Sequence, residues 1–191
     1  MVSEYWDAEA ATFDDEPDHG LRDPEVREAW RRLLREHLPP PPARVADLGC
    51  GTGSLSVLLA DEGYAVDGVD FSPEMVDAAR EKAAGRPGLS FAVGDAAAPP
   101  FERGAYDVVL CRHVLWALDD QAAALRTWVE LLGDHGRLVL VEGFWHTGAG
   151  LRAGETEALL RGAGREPTTY LLSEDVYWGG PTGDERYLVV A

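Results

Sequence analysis

The residues best placed to do chemistry sit in one short stretch. VADLGCGTGSLS at 45–56 carries Gly49, Gly51 and Gly53 at alternate positions after an apolar run, and a helical pattern follows at once. Glycines at a strand's end let the main chain approach a ligand with no Cβ in the way, and the helix that opens there aims free N–H groups at it. The pattern begins like a dinucleotide fingerprint, but Ser54 stands where that fingerprint has its third glycine, so the spacing alone leaves the nucleotide class open. Asp70 follows about twenty residues on, the distance from which a carboxylate accepts hydrogen bonds from ribose hydroxyls. Its other available role is a cap before Ser72-Pro73. Asp95, after Gly94, adds either a handle for an exocyclic amine or an ordinary Gly-Asp turn. Together these residues imply a ligand with a ribose and a mononucleotide-like body.

Other chemistries lack their residues. Lys82 is the only lysine and is preceded by Glu81, so there is no P-loop, and its place in a polar helical stretch does not suit a Schiff base. No GxSxG or HExxH occurs, and His19, His37, His113, His135 and His146 show no metal-ligand spacing, so no metal is expected. The 191 residues include 17 basic and 34 acidic ones, a net charge of −17 with 46% hydrophobic content. Such a chain is globular and repels nucleic acid and anionic membrane, which leaves a small-molecule partner. The acidic start, MVSEYWDAEAATFDDEPD, has no basic or apolar leader region, and no run approaches the roughly 20 apolar residues of a spanning helix. With only Cys50 and Cys111, neither in a CxxC pair, a cytoplasmic protein with reduced thiols is expected.

The elements that must position these residues alternate between strand and helix, the mark of an α/β fold with a largely parallel sheet. A first helix is expected from Ser3 to about Phe13, with Trp6, Ala10 and Phe13 on one face. A second has Asp23 as N-cap and Pro24 at its first position, and ends at the prolines of 39–42. Strands are read at RVADLG, AVDGVD, LSFAVGD, YDVVLCR and GRLVLVEG, with helices at SLSVLLADEG, from Ser72-Pro73, and at DDQAAALRTWVELLG. The strand runs are nearly continuously apolar, as buried parallel strands are. AGETEALLRGAG then reads as a helix, and PTTYLL and RYLVVA as the last two strands. One domain spans 1–191, with 1–42 an N-terminal cap and 43–191 the core.

VADLGCGTGSLS, VDGVDFSPEM, VGDAAAPPF and AYDVVLCRHVLWAL, in that order and spacing, resemble the successive motifs of class I S-adenosylmethionine-dependent methyltransferases over roughly residues 43–142. The resemblance implies a doubly wound, Rossmann-like seven-stranded sheet of order 3-2-1-4-5-7-6, its last strand antiparallel, under a short helical lid. It implies S-adenosyl-L-methionine as cofactor and S-adenosyl-L-homocysteine as product. By the same analogy Asp47, Cys50 and the Gly49, Gly51 and Gly53 backbone hold or border the methionine part, Asp70 takes the ribose hydroxyls, and Phe71 and Met75 lie against the adenine. Asp95 takes the adenine amine, the Ala96 N–H a ring nitrogen, and the Arg112 carbonyl faces the ammonium. Met75 is also fit to be a plain core residue.

The reaction implied is methyl transfer to a small acceptor, with oxygen, nitrogen and carbon acceptors all open and a natural-product setting suggested by family analogy. Two other readings stand beside it: a nicotinamide-dependent oxidoreductase, disfavoured by Ser54, Asp95 and CRHVLW, and a catalytically silent cofactor-binding module. The acceptor wall is expected from the N-terminal segment, the ends of strands four and five, and the last hairpin. These supply Tyr5 and Phe13, then Trp116, then Trp145 and His146, and finally Trp178. Phe13 stands near where related enzymes often carry a tyrosine, and it brings no hydroxyl. Trp6 and Phe13 either cover the cofactor or simply anchor their helix. His113 is the first candidate for a base, with its inflection near the ordinary imidazole value of about 6.5. His19 is the second, although Pro17 to Gly20 also reads as a turn.

Overall fold

The computed structural model describes residues 2–191 as one seven-stranded sheet flanked by helices. The strands are β1 (Arg44–Leu48), β2 (Ala65–Asp70), β3 (Leu89–Val93), β4 (Tyr106–Arg112), β5 (Leu132–Phe144), β6 (Thr168–Leu171) and β7 (Glu185–Val190). Their order is β3-β2-β1-β4-β5-β7-β6, with β7 antiparallel to both neighbours and the pairs from β3 to β5 parallel. Helices are α1 (Val2–Glu9), α2 (Pro17–Gly20), α3 (Pro24–His37), α4 (Ser54–Asp61), α5 (Pro73–Lys82), α6 (Gln121–Leu131) and α7 (Ala153–Gly162).

Local chemistry sets these boundaries. The Asp23 carboxylate accepts from the N–H groups of Glu25 and Val26, with Pro24 supplying a ready-made first turn, and α3 begins there. The Ser72 hydroxyl does the same for α5 by accepting from the Met75 N–H. Alternation along the strands divides the core into two layers. Val45, Val66, Leu110 and Val141 pack with Trp30 and Leu34 of α3 and Leu58 of α4 on one face. Leu48, Val109 and Leu140 pack with Leu125 and Trp128 of α6 and Leu160 of α7 on the other.

Three expectations change. The first helix stops at Glu9, and Phe13 belongs to a separate short turn at Phe13–Asp15. Pro17 to Gly20, read as a turn, closes into the four-residue α2, since Pro17 and Asp18 suit a helix's first positions. β5 begins at Leu132 rather than near Gly136, with a register shift against β4 between Tyr106 and Val108.

Candidate active site

At the carboxyl edge of the parallel strands lies a cavity of about 830 Å³, which the ends of β1, β2, β4 and β5 and the N-terminal segment line together. A shallower hollow of about 500 Å³ at the opposite edge, around Pro42, Arg44, Gly88 and Asp107, carries none of the glycine-turn residues.

The floor is the turn after β1. Gly49, Gly51 and Gly53 all have positive φ, at 72°, 52° and 75°. A Cβ on Gly49 would sit 2.3 Å from Val114 Cγ2, so only glycine fits there. Gly53 serves differently: it faces Ala79 and Phe91 behind the turn and does not line the cavity. Asp70 braces the turn, its Oδ2 accepting from the Gly51 N–H at 2.9 Å and its Oδ1 from the Ser72 N–H at 3.0 Å. Burial raises its pKa. Asp47 is buried below the turn, accepts from Ser56 Oγ at 2.5 Å, and is pushed up to about 6 by burial. Cys50, Phe71, Met75, Asp95 and Ala96 complete this half of the lining. Asp95 also accepts from the Ala97 N–H at 2.8 Å, so its carboxylate shapes its own loop as well.

The N-terminal segment forms the cover. Trp6 and Phe13 line the cavity, and Phe13 reaches within contact of Gly51 and stacks on His19 with centroids 4.2 Å apart. Two carboxylates tie this cover down. Asp7 Oδ1 accepts from Ser72 Oγ at 2.5 Å, and Asp14 accepts from Thr52 Oγ1 at 2.5 Å and pairs with Lys82 Nζ at 2.7 Å. Lys82 also donates to Thr52 Oγ1 and Ser54 Oγ, at 2.9 and 2.7 Å. The one lysine, read as part of a polar helix, is thus a latch between cover and floor.

The far wall is built on the turn after β4. His113 takes a left-handed φ of 59°, a conformation that histidine tolerates better than most residues, while its N–H donates to Val141 O at 2.8 Å. Glu142, wholly buried in β5, holds that turn: its Oε1 accepts from the N–H groups of Val114 and Leu115 at 3.2 and 2.8 Å. Burial raises Glu142 to about 8. The Trp116 Nε1–H donates to His113 O at 2.9 Å, and Trp145 packs edge-on to His113 at 5.3 Å and against Trp116 at 5.3 Å. Burial holds the His113 pKa well below the usual imidazole value, and the nearby charges of Arg112 and Arg186 push the same way. His19 is lowered by burial and then by Arg112. Arg112, expected to act through its carbonyl, lines the cavity, and its guanidinium donates to Asp18 O and lies 5.2 Å from the Trp30 ring.

Three residues expected in the wall stand elsewhere. Trp178 is buried behind His113, stacked on it at 6.0 Å, with its Nε1–H donating to Leu172 O, because the hairpin folds inward onto Trp30. Tyr5 is 59% exposed beside Trp6, on the outer face of α1. His146 points to solvent, with Nδ1 3.3 Å from Asp184. The histidines lack metal-ligand spacing in sequence, yet the fold gathers ligand atoms of Asp18, His19 and His113 within 4.8 Å of one another. Arg112 and Arg186, which oppose protonation of His113, oppose a cation there on the same electrostatic ground. Glu142 and Arg186 are not among the residues the sequence singles out, and Lys82 is weighed there only for P-loop and Schiff-base chemistry. The available signal for Glu142 was a charge inside the apolar run LVLVEGF.

Comparison with known proteins places this geometry. The profile of the family described as "Methyltransferase domain" matches residues 46–140. The chain is 38% identical over 114 residues to the demethylmenaquinone methyltransferase of Beutenbergia cavernae, covering 59% of this chain and 46% of that one. It is 30% identical over 123 residues to aklanonic acid methyltransferase DauC of Streptomyces sp. (strain C5), covering 62% and 56%. The chain therefore spans about half the length of these curated relatives. Magnesium protoporphyrin IX methyltransferase (ChlM) of Synechocystis PCC 6803, solved with bound S-adenosylmethionine, superposes with a TM-score of 0.66 at 27% identity, covering 86% of this chain and 77% of that one.

Proposed function

The chain belongs to the class I S-adenosylmethionine-dependent methyltransferase family, and from that premise we propose that it methylates a small planar acceptor at the wall formed by His113, Trp116 and Trp145. The observation that carries the reading is a single cavity joining Asp70 and Met75 at one end to His113 and Trp145 at the other. The lining fits the cofactor in kind: the glycine turn brings Gly49 and Gly51 main chain to the cavity, its shape set by the close approach of Val114 and Phe13, and Asp47, Asp70 and Asp95 put carboxylates beside it. Asp70 accepts from the ribose hydroxyls, Phe71 and Met75 flank the adenine, and Asp95 with the Ala96 N–H reads the adenine edge. Asp47, Cys50 and the glycine turn border the methionine part.

S-adenosylmethionine supplies an electrophilic methyl group on a sulfonium. What the chain adds is position and dryness. Trp6 and Phe13, latched through Asp14 and Lys82, cover the floor and exclude water. Trp116, on the Glu142-held turn, and Trp145, which packs against it with ring planes 58° apart, form an aromatic corner against which an acceptor is oriented. His113 is uncharged at neutral pH and presents a polar nitrogen to the acceptor.

Of the expected cap at 1–42, the segment up to Gly20 covers the cavity, while α3 packs on the sheet with the core of 43–191. Among the described residues no helix is long and apolar enough to cross a membrane, and Cys50 and Cys111 are unpaired. We place the protein in the cytoplasm, acting on a small molecule and not on nucleic acid, with which its net charge of −17 is incompatible. Calorimetry with S-adenosylhomocysteine, followed by radiolabelled methyl transfer to a panel of aromatic acceptors, tests the reading. Binding with turnover is expected. No binding refutes the cofactor assignment, and binding without turnover on any acceptor points to the silent module.

A further inference from the structure

Three buried nitrogens of residues that line the cavity, Arg186 Nε, His113 Nε2 and His19 Nδ1, have no hydrogen-bond partner among the described residues. Two of them, Arg186 Nε and His113 Nε2, belong to side chains packed against Trp145 and Trp178. Arg186 is a built feature of the site. The antiparallel register of β5 and β7 sets it opposite Gly143, where a Cβ would lie 2.9 Å from Arg186 Cδ, so the glycine makes room for the arginine stem. Its guanidinium lies 4.6 Å from the Trp178 ring centre and 5.4 Å from that of Trp145. One arm of the fork is occupied, with Nη2 donating to Asp184 Oδ2 at 3.0 Å, and Asp184 is fixed in turn by the His146 N–H at 2.8 Å. Nε remains.

A buried donor without an acceptor is costly, and a guanidinium is best matched by an oxygen that carries negative charge. The tilted indoles of Trp116 and Trp145 form an apolar corner that suits the face and edge of an aromatic ring. Of the carboxylates near this end, Asp184 is paired with Arg186, while Asp18 faces His19 Nε2 at 3.7 Å, beyond hydrogen-bond distance. We propose that the acceptor carries an ionised oxygen on a planar ring system, a carboxylate or an acidic phenolate or enolate, and that Arg186 Nε and His113 Nε2 hold that oxygen. The proposal rests on the methyltransferase reading and narrows it to a substrate class. An acceptor that arrives ionised has no proton to lose, so His113 becomes a positioning residue and no base is required. Burial and the neighbouring arginines keep the imidazole uncharged, which suits a hydrogen-bond role at Nε2.

Calorimetry of 2-naphthoate against its neutral isostere 2-naphthamide, with and without S-adenosylhomocysteine, tests this. The carboxylate is expected to bind the wild type at least about tenfold more tightly than the amide, the effect of one charge-assisted hydrogen-bonded pair. Arg186→Gln is expected to bring the two within about twofold of each other while S-adenosylhomocysteine affinity is kept. Equal or tighter binding of the amide to the wild type overturns the proposal, as does no binding of either probe at millimolar concentration, or a preference that survives in Arg186→Gln. The wild-type comparison needs no variant, so it decides even where Arg186→Gln misfolds. Failure of the wild type to bind S-adenosylhomocysteine is a separate result that counts against the cofactor assignment, while the naphthoate comparison without it still judges the anion site.

Discussion

Replacing Glu142 by Gln is the perturbation whose outcome follows most directly from the structure. The side chain is fully buried in β5, one oxygen accepts two backbone N–H bonds, and the other has no partner among the described residues. Burial raises its pKa from 4.5 to about 8. A carboxyl with a raised folded pKa binds more protons folded than unfolded, so its contribution is fully present below about pH 4.5 and is lost as pH rises through about 8. Stability falls by up to about 1.4 kcal/mol per pH unit inside that window, which amounts to about 2.5 to 3.5 kcal/mol between pH 5 and pH 8. Gln keeps the acceptor for Val114 and Leu115 and has no proton to lose. The other buried groups titrate alike in both proteins and cancel in the difference. Guanidinium unfolding at pH 5, 6, 7 and 8 should therefore show Glu142→Gln gaining on the wild type by that amount as pH rises. The corresponding divergence in Tm is about 5 to 14 °C. A stability difference that stays constant across this range would falsify the assignment of a proton to Glu142.

Other substitutions separate the parts of the site. Asp70→Ala should weaken S-adenosylhomocysteine by about 1.5 to 3 kcal/mol, the worth of hydrogen bonds to a charged acceptor; unchanged affinity by calorimetry would remove Asp70 from the ribose site. Lys82→Ala should release the cover at Asp14, costing about 1 kcal/mol and hence about fivefold in cofactor affinity. Hydrogen exchange should then quicken over residues 13–20, and protection equal to wild type would show that the latch is idle. The sequence alone sets a His113 inflection near pH 6.5, but burial and two arginines displace it well below. Wild-type turnover should accordingly be flat in His113 titration from pH 6.5 to 9, and His113→Asn should act mainly on the acceptor's KM; a clear rise centred near 6.5, lost in His113→Asn, would restore the base.

What the sequence determined by itself was most of what neighbours along the chain govern, the end of α1 and the short α2 excepted. Asp23-Pro24 and Ser72-Pro73 start helices because a side-chain oxygen meets N–H groups two or three residues away. The apolar runs of β1, β2 and β4 declare buried parallel strands, and the glycine turn, Asp70 and Asp95 fall at strand ends whose side of the sheet the βα order dictates. Residues whose role depends on partners far along the chain were decided only in three dimensions. Lys82 becomes a latch because α5 passes beside Thr52 and the cover, and Arg186 meets Gly143 because β7 runs back along β5 in one register. Trp178 turns inward and His146 outward according to how the last hairpin packs on Trp30, a choice that no local pattern of aromatics records. Glu142 was visible as a charge in an apolar strand. That it would clamp the turn bearing His113, and that burial would raise its pKa so far, follows from the packing of layers around it, because the cost of a charge is set by the water that the finished fold removes.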